Sequence, residues 1–150
     1  MNAIEQFKSQ YSVTIAQDII WGDMDAFNHI NNTVYFRYFE NARIEYFERT
    51  NINALMQKTK IGPILGETEC KYLAPLTYPD KITVGAKVTE IKEKRFSQHY
   101  EVFSHKMNKV VAKGRGEIVY FNYADAQTCR IPDEILAAID RLENQVAGER

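Results

Sequence analysis

A short polar stretch, "GDMDAFNHINNTVYF" at residues 22–36, places two acids, one histidine and three asparagines directly ahead of an aromatic run. If that run is a helix, its first amides are unpaired and carry a partial positive charge, which stabilises negative charge on a nearby oxygen. A carboxylate on the adjoining turn, such as Asp25, can attack a carbonyl carbon or activate water for that attack. The stretch therefore predicts chemistry at a carbonyl group, with simple turn formation by Asp23 and Asp25 as the alternative.

The aromatic run itself predicts a helix from Thr33 to about Arg49. Its apolar side chains recur at intervals of three and four, which is the spacing of one helical face. This face comprises Tyr35, Phe39, Ala42 and Tyr46. Its flank comprises Phe36, Arg43 and Phe47. Because this apolar surface is unusually broad, we expect other elements to wrap most of the helix. Asn31 or Asn32 is expected to cap the first turn.

The rest of the chain reads mainly as strands. A run rich in β-branched residues predicts a first strand at residues 11–21. After a linker that contains Gly62 and Pro63, apolar residues recur at every second position. This alternation predicts strands at 67–76, 81–91, 95–104 and 109–123. Short polar turns make the last three antiparallel neighbours. Gly114 and Gly116 mark either a bulge or a place where another chain or a ligand comes close. Pro132 opens a terminal helix whose apolar face comprises Leu136, Ile139, Leu142 and Val146.

Composition restricts the class of protein. The 150 residues are 45% hydrophobic and carry a formal net charge of −1, which indicates one compact domain with no overall field to collect nucleic acid or an anionic membrane. Cys70 and Cys129 lie far apart without a metal-binding spacing, which argues against a zinc site or a disulfide framework. No segment approaches the roughly 20 apolar residues that span a bilayer, and the first residues lack a leader pattern. We therefore expect a cytoplasmic protein.

The order of these elements, a strand, a long apolar helix, four antiparallel strands and a short helix, predicts an α+β domain. The stretch "WGDMDAFNHINNTVYFRYFENAR" resembles the signature of the 4-hydroxybenzoyl-CoA thioesterase-like branch of hotdog acyl-CoA thioesterases. Its Asp-x-Asp, His-x-Asn-Asn and Tyr-x-x-Tyr-x-x-x-Ala-Arg elements match in type and spacing, and "CKYLAPLTYPDKITV" agrees more loosely. The resemblance implies a single hotdog domain over residues 1–150, with an antiparallel β-sheet wrapped around a long central α-helix.

The resemblance also implies an active site for acyl-CoA hydrolysis. The catalytic carboxylate is Asp25, as nucleophile or general base, and the amide that binds the oxyanion comes from Asn31, Asn32 or Thr33. His29 shapes the catalytic turn, and Asp23 is a supporting acid. The family needs no metal and no separate cofactor, since coenzyme A is part of the substrate, and it binds acyl-CoA near the interface of a homodimer or homotetramer.

Residues for binding the substrate are expected in two places. Phe27, Tyr35 and Phe39 are expected to line the acyl group, with plain core packing as the alternative reading of the helix aromatics. Lys113 and Arg115 are expected to contact the CoA phosphates, because a nearly neutral protein needs local cations for such a ligand. Lysines kept on an edge strand for solubility explain them equally well.

Other sites and functions stay open at this stage. Glu67 and Glu69 are the next candidates for a catalytic acid, although solvent-facing strand acids are the simpler interpretation. An acyl carrier protein thioesterase is the alternative enzyme. A noncatalytic acyl-CoA-binding module is the alternative from another class, since a fold does not fix an activity.

Overall fold

A computed structural model describes the backbone of residues 1–149 and the side chains of residues 1–145. Four helices and six strands follow in the order α1 (Ala3–Ser9), β1 (Val13–Asp18), α2 (Val34–Arg49), α3 (Ile52–Thr59), β2 (Ile61–Tyr72), β3 (Lys81–Ile91), β4 (Arg95–Ser104), β5 (Lys109–Asn122), β6 (Gln127–Thr128) and α4 (Asp133–Glu149). A 3₁₀ turn, Trp21–Asp23, follows the first strand. None of the helices in the described part of the chain has the length and apolar character needed to cross a bilayer.

All strands form one antiparallel sheet in the order β1-β3-β4-β5-β2, with the short β6 paired to β5. The pairing register shifts once in each of the β2–β5, β3–β4 and β4–β5 ladders. Such shifts bend a strand and increase its twist, which helps the sheet to curl. β1 and β2 are therefore the two edges of the sheet, although no other strand separates them in sequence.

Helix α2 lies against the inner face of the curled sheet, mainly across β1, β3 and β4. Its predicted face is buried: Phe39, Ala42 and Tyr46 are fully buried and Tyr35 is 3% exposed. Phe39 stacks on Tyr100 with ring centroids 5.1 Å apart. A long helix wrapped by an antiparallel sheet is the hotdog fold, so the predicted fold class and the predicted helix bounds are confirmed.

Several predicted boundaries are wrong. Gly62 and Pro63 do not form a linker, because α3 ends at Thr59 and both residues lie inside β2. Pro63 is tolerated there because β2 is an edge strand and pairs on one side only. The first strand ends at Asp18 instead of Trp21, and α1, α3 and β6 were not predicted.

The glycines of β5 make room for core side chains of the same chain. A Cβ on Gly114 would lie 2.2 Å from the Phe39 ring, and one on Gly116 would lie 2.9 Å from the Tyr100 hydroxyl. No register shift falls at either glycine within the described ladders. On the opposite face of the sheet, Phe7 of α1 and Tyr11, which lies between α1 and β1, pack against Phe103 in a small second core.

The terminal helix begins directly after Pro132, as predicted. Ile139 on its predicted face is 1% exposed, and Ile135 is buried as well. Leu136 and Leu142 pack at the edge of the main core. The side chain of Val146, the fourth residue predicted on this face, lies outside the described side chains.

Candidate active site

A cavity of about 440 Å³ opens at the N-terminus of α2. Its walls come from the polar stretch, from the first turn of the helix and from the segment that follows β2. The lining residues are Asp25, His29, Ile30, Asn32, Tyr35, Tyr72, Leu73, Ala74 and Pro75. Four of the predicted site residues therefore meet in one cavity.

The loop that carries Asp25 is held by its own hydrogen bonds. Asp25 Oδ1 accepts from the backbone N–H groups of Phe27 at 2.8 Å and His29 at 3.4 Å, while the Asp25 N–H donates to the His29 carbonyl at 2.8 Å. Asn28 has φ of 62°, a left-handed conformation that asparagine adopts more readily than most residues. Among the described residues, Asp25 Oδ2 accepts no hydrogen bond, so one carboxylate oxygen is available to a ligand or to water.

The turn between this loop and α2 uses most of its amides internally. The Asn31 N–H donates to the Asp23 carbonyl at 2.9 Å, and the Thr33 N–H donates to Asn31 Oδ1 at 2.9 Å. The side chain of Asn31 thus caps this turn, while Thr33 occupies the formal N-cap position without a side-chain capping bond. The N–H of Asn32 has no hydrogen-bond acceptor within the described part of the chain, and Asn32 lines the cavity.

Two tyrosines form the aromatic part of the cavity lining. Tyr35 and Tyr72 meet edge to face, with ring centroids 5.0 Å apart. Burial raises the pKa of Tyr35 to about 12 and the pKa of Tyr72 to about 12, so both phenols are neutral hydrogen-bond donors near pH 7. The Tyr72 hydroxyl donates to the Asn32 carbonyl at 2.8 Å and so fixes the orientation of the peptide unit between Asn32 and Thr33.

Tyr72 was not among the predicted site residues. The "KYLAPL" segment supplies Tyr72, Leu73, Ala74 and Pro75 to the cavity. In the sequence, this segment indicates only a strand that resembles those of the family. Ile30 N–H donates to the carbonyl of Leu76 at 2.9 Å, which joins this segment to the Asp25 loop. This contact joins residues 46 positions apart, so no local pattern signals it.

Other predicted site residues lie elsewhere. Phe39 is buried in the core and does not line the cavity. The side chain of Phe27 is 80% exposed at the outside of the loop. The backbone carbonyl of Asp23 accepts a hydrogen bond in the turn. Burial raises the pKa of Tyr38, and the negative charge of Asp23 raises it further.

Lys113 and Arg115 lie on the outer face of the sheet, in a second cavity of about 260 Å³ that also includes Glu69, Lys71 and His99. Arg115 donates to three carboxylates: Glu67 at 3.1 Å, Glu69 at 3.1 Å and Glu117 at 2.7 Å. Lys113 lies 3.6 Å from a carboxylate oxygen of Glu101 and is half exposed. Both cations thus already have partners, and Glu67 and Glu69 face Arg115 instead of the cavity that holds Asp25.

A model of the thioesterase-like superfamily matches residues 19–139. This chain belongs to that superfamily. The matched region contains the Asp25 loop, α2 and the whole sheet except β1. The family resemblance inferred from the Asp-x-Asp and His-x-Asn-Asn elements is therefore confirmed.

Solved and curated proteins resemble this chain at low sequence identity. A thioesterase from Thermus thermophilus, crystallised with coenzyme A and zinc, is 26% identical with a TM-score of 0.79, covering 89% of this chain and 96% of that one. Protein YsmA of Bacillus subtilis is 24% identical over 96 residues, which are 64% of this chain and 64% of YsmA. The chloroplastic acyl-acyl carrier protein thioesterase ATL3 of Arabidopsis thaliana is 25% identical over 114 residues, which are 75% of this chain and 60% of ATL3. The chain thus spans less than two thirds of the length of these two curated relatives.

Within the described residues, this superfamily member has no group of three or more histidine, cysteine or acidic residues placed to hold a metal ion. The zinc in the Thermus structure is a property of that protein. The expectation that catalysis needs no metal stays a prediction.

Proposed function

We propose that this superfamily member is an acyl-CoA thioesterase. In the reaction, the oxygen of water adds to the thioester carbonyl, the carbon–sulfur bond breaks, and the products are a free carboxylic acid and the thiol of coenzyme A. One observation carries the proposal: a cavity at the N-terminus of α2 contains both a carboxylate with an unused oxygen and a backbone amide without an internal acceptor.

Asn32 is the best donor to the oxyanion. Of the three amides predicted from sequence, those of Asn31 and Thr33 already donate within the turn, whereas that of Asn32 does not. The carbonyl of Asn31, which shares a peptide unit with the Asn32 N–H, accepts from the Val34 N–H at 3.0 Å, and a fixed peptide orientation favours a donor that needs no reorganisation during the reaction. The partial positive charge of the helix N-terminus adds to the stabilisation.

Asp25 activates the nucleophile. Two backbone amides hold Oδ1, which leaves Oδ2 to attack the thioester carbon or to accept a proton from attacking water. In the first route an acid anhydride forms and water then hydrolyses it; in the second, the proton taken from water passes to the departing thiolate. Both routes give the same products, so both remain part of the proposal.

Lys113 is the proposed contact for the phosphates of coenzyme A, since it is half exposed and has one carboxylate neighbour. Arg115 contributes less to this contact, because three glutamates surround it. A cytoplasmic location and an oligomeric assembly are also proposed.

Acyl carrier protein is the second candidate carrier of the acyl group. The similarity to ATL3 favours it, because that relative is an acyl-acyl carrier protein thioesterase. The two carriers share the thioester and differ in what surrounds it. Parallel assays with acyl-CoA and acyl carrier protein thioesters of the same acyl chain distinguish them.

Replacing Asp25 tests the proposal. Asp25→Asn keeps the size of the side chain and an oxygen that can accept from the loop amides, but it removes the charge, so kcat for acyl-CoA hydrolysis is expected to fall by roughly 10² to 10⁴. Release of free thiol measures turnover, and titration calorimetry with acyl-CoA is expected to show that binding survives.

Asp23→Asn is the matched control. Asp23 lies two residues away and does not line the cavity. The Asp23→Asn variant is therefore expected to lose much less activity than Asp25→Asn. A folded Asp25→Asn protein with normal kcat would contradict the assignment, and equal severe losses at both positions would mean that the two acids act as a unit. Binding of acyl-CoA without turnover by the wild-type protein would favour the noncatalytic module.

A further inference from the structure

The cavity that holds Asp25 is bounded by two aromatic rings in contact. Tyr35 and Tyr72 both line it, and their rings meet edge to face with centroids 5.0 Å apart. Rings at this distance are in van der Waals contact, so a chain of methylene groups does not pass between them. Tyr35 is 3% exposed and also contacts Tyr38, with ring centroids 5.7 Å apart. We call Tyr35 and Tyr72 the tyrosine pair.

The tyrosine pair lies close to the proposed oxyanion site. The Tyr72 hydroxyl donates to the Asn32 carbonyl at 2.8 Å. Tyr35 follows Asn32 by three residues, and the bond from the Val34 N–H to the Asn31 carbonyl shows that the chain already turns helically here. Because helical residues rise by about 1.5–2.0 Å each, Tyr35 lies roughly 5–6 Å from Asn32 along the helix axis. At about 1.2 Å per bond, an extended acyl chain of about five bonds covers this distance.

Beyond the tyrosine pair, a core side chain occupies the space between α2 and the sheet. Cys70 comes two residues before Tyr72 on the same face of β2, and it pairs with Gly114. The Phe39 ring lies over Gly114, because a Cβ there would come within 2.2 Å of that ring. Phe39 is fully buried and stacks on Tyr100. A chain that passed the tyrosine pair would therefore meet the Phe39 ring.

A longer acyl chain leaves through the mouth of the cavity, because the Asp25 loop and residues 73–75 form its other walls. Methylene groups that extend from the mouth stay in water and gain no hydrophobic stabilisation. Each methylene buried inside the cavity, in contrast, strengthens binding by about fourfold. The geometry therefore favours acyl groups that end at the tyrosine pair.

We propose that the tyrosine pair limits the length of the acyl group, so that the preferred substrates are CoA thioesters of short acyl groups with up to about six carbons. Tyr35 is the residue that determines this limit, because it is buried at the inner end of the cavity with Phe39 one helical turn behind it. The inference rests on the proposed acyl-CoA hydrolysis and specifies its substrate class.

A series of straight-chain substrates tests the limit. The wild-type kcat/KM is measured by free thiol release with butanoyl-, hexanoyl-, octanoyl- and decanoyl-CoA. The value for decanoyl-CoA is expected to be no higher than that for hexanoyl-CoA, since the added methylenes are not buried. A rise of tenfold or more from hexanoyl- to decanoyl-CoA, as continued burial would give, would overturn the proposal.

Two truncations of buried aromatic residues assign the limit to Tyr35. Tyr35→Ala removes one ring of the pair and opens the cavity as far as Phe39, so the ratio of kcat/KM for decanoyl-CoA to that for butanoyl-CoA is expected to rise at least about tenfold. Phe39→Ala is the matched control, because Phe39 lies on the same helix but does not line the cavity. Its ratio is expected to stay within about twofold of the wild-type ratio. The ratio is independent of how much of each variant is folded.

An unchanged ratio in Tyr35→Ala, or an equal change in Phe39→Ala, would overturn the role of Tyr35. Circular dichroism identifies a variant that fails to fold, and Tyr35→Leu, which keeps more apolar contact, then decides the outcome in the same direction. Binding separates this inference from the proposed function. If the wild-type protein hydrolyses no acyl-CoA, titration calorimetry with butanoyl- and hexanoyl-CoA against decanoyl-CoA tests the limit, and tighter binding of decanoyl-CoA by tenfold or more would overturn it.

Discussion

His99 combines several interactions in one half-buried side chain on the outer face of the sheet. Its ring stacks on Tyr11 at 6.4 Å with an interplanar angle of 7°, and the Tyr11 hydroxyl donates to the buried Glu101. Burial lowers the pKa of His99; Glu101 raises it, and Lys87 and Lys113 lower it further. The neutral imidazole is therefore favoured in the folded protein.

The lowered pKa predicts a dependence of stability on pH. Above the ordinary histidine pKa of about 6.5, His99 is neutral in both the folded and the unfolded chain, and its contribution is constant. Below that value the unfolded chain takes up the proton first, so the free energy of unfolding decreases as the pH falls towards the lower folded pKa. His99→Gln is expected to reduce the loss of stability between about pH 7.5 and 5 in urea titrations. The difference between the two proteins isolates His99 from His105, and identical pH profiles would contradict the prediction.

The turn that begins α2 has both a structural role and a proposed catalytic role. Asn31 Oδ1 accepts from both the N–H and the hydroxyl of Thr33, each at 2.9 Å, which orders the chain where it enters the helix. The adjacent N–H of Asn32 is the proposed donor to the oxyanion. A charge introduced at Asn31 therefore affects helix stability and catalysis in opposite directions.

Asn31→Asp tests this opposition. The carboxylate keeps both accepted hydrogen bonds, and its charge at the helix N-terminus is expected to leave stability unchanged or to raise it by about 0.3–1 kcal/mol. The same charge opposes the oxyanion one residue away, so kcat is expected to fall by roughly tenfold or more. Urea unfolding and thiol release measure the two effects. Asn31→Ser, which keeps an acceptor without the charge, is expected to retain more activity, and an unchanged kcat in Asn31→Asp would argue against Asn32 as the donor.

At the scale of the whole molecule, the edge strand β2 is the feature most relevant to assembly. It spans 12 residues and, within the described residues, pairs only with β5, so its other edge has no partner strand there. Ile64 and Leu65 on this strand are each 41% exposed, and Tyr72 at its end is 44% exposed. A long edge strand with exposed apolar side chains favours pairing with another strand. We therefore expect a dimer that forms along β2, close to the cavity lined by Tyr72.

Ile64→Lys tests this assembly. A lysine on an edge strand opposes strand pairing, so the dissociation constant of the dimer is expected to rise by about tenfold or more in the variant. Sedimentation velocity over a concentration series measures the change. Met107→Lys is the control, because Met107 is 37% exposed in the turn between β4 and β5. A wild-type protein that is monomeric at assay concentrations would contradict both the dimer and an active site near its interface.

The sequence by itself determined the parts of this protein that depend on local periodicity. The interval of three and four in the aromatic run specified α2 and its buried face, and the alternation in residues 81–123 specified three antiparallel strands. The polar stretch around Asp25 and its relation to the helix N-terminus were also evident, because they are close in sequence. These features give the correct fold class and the correct superfamily.

Tertiary structure alone decided how distant residues meet. The contact of the Asn32 carbonyl with Tyr72, and two of the three glutamates around Arg115, depend on strand register and on hydrogen bonds between segments about 40 or more residues apart. The hydrogen bond from Arg43 to the Tyr100 hydroxyl has the same origin, since it joins α2 to β4. A residue's own neighbours fix its periodicity, whereas its partners across a sheet are fixed only when the sheet curls around the helix.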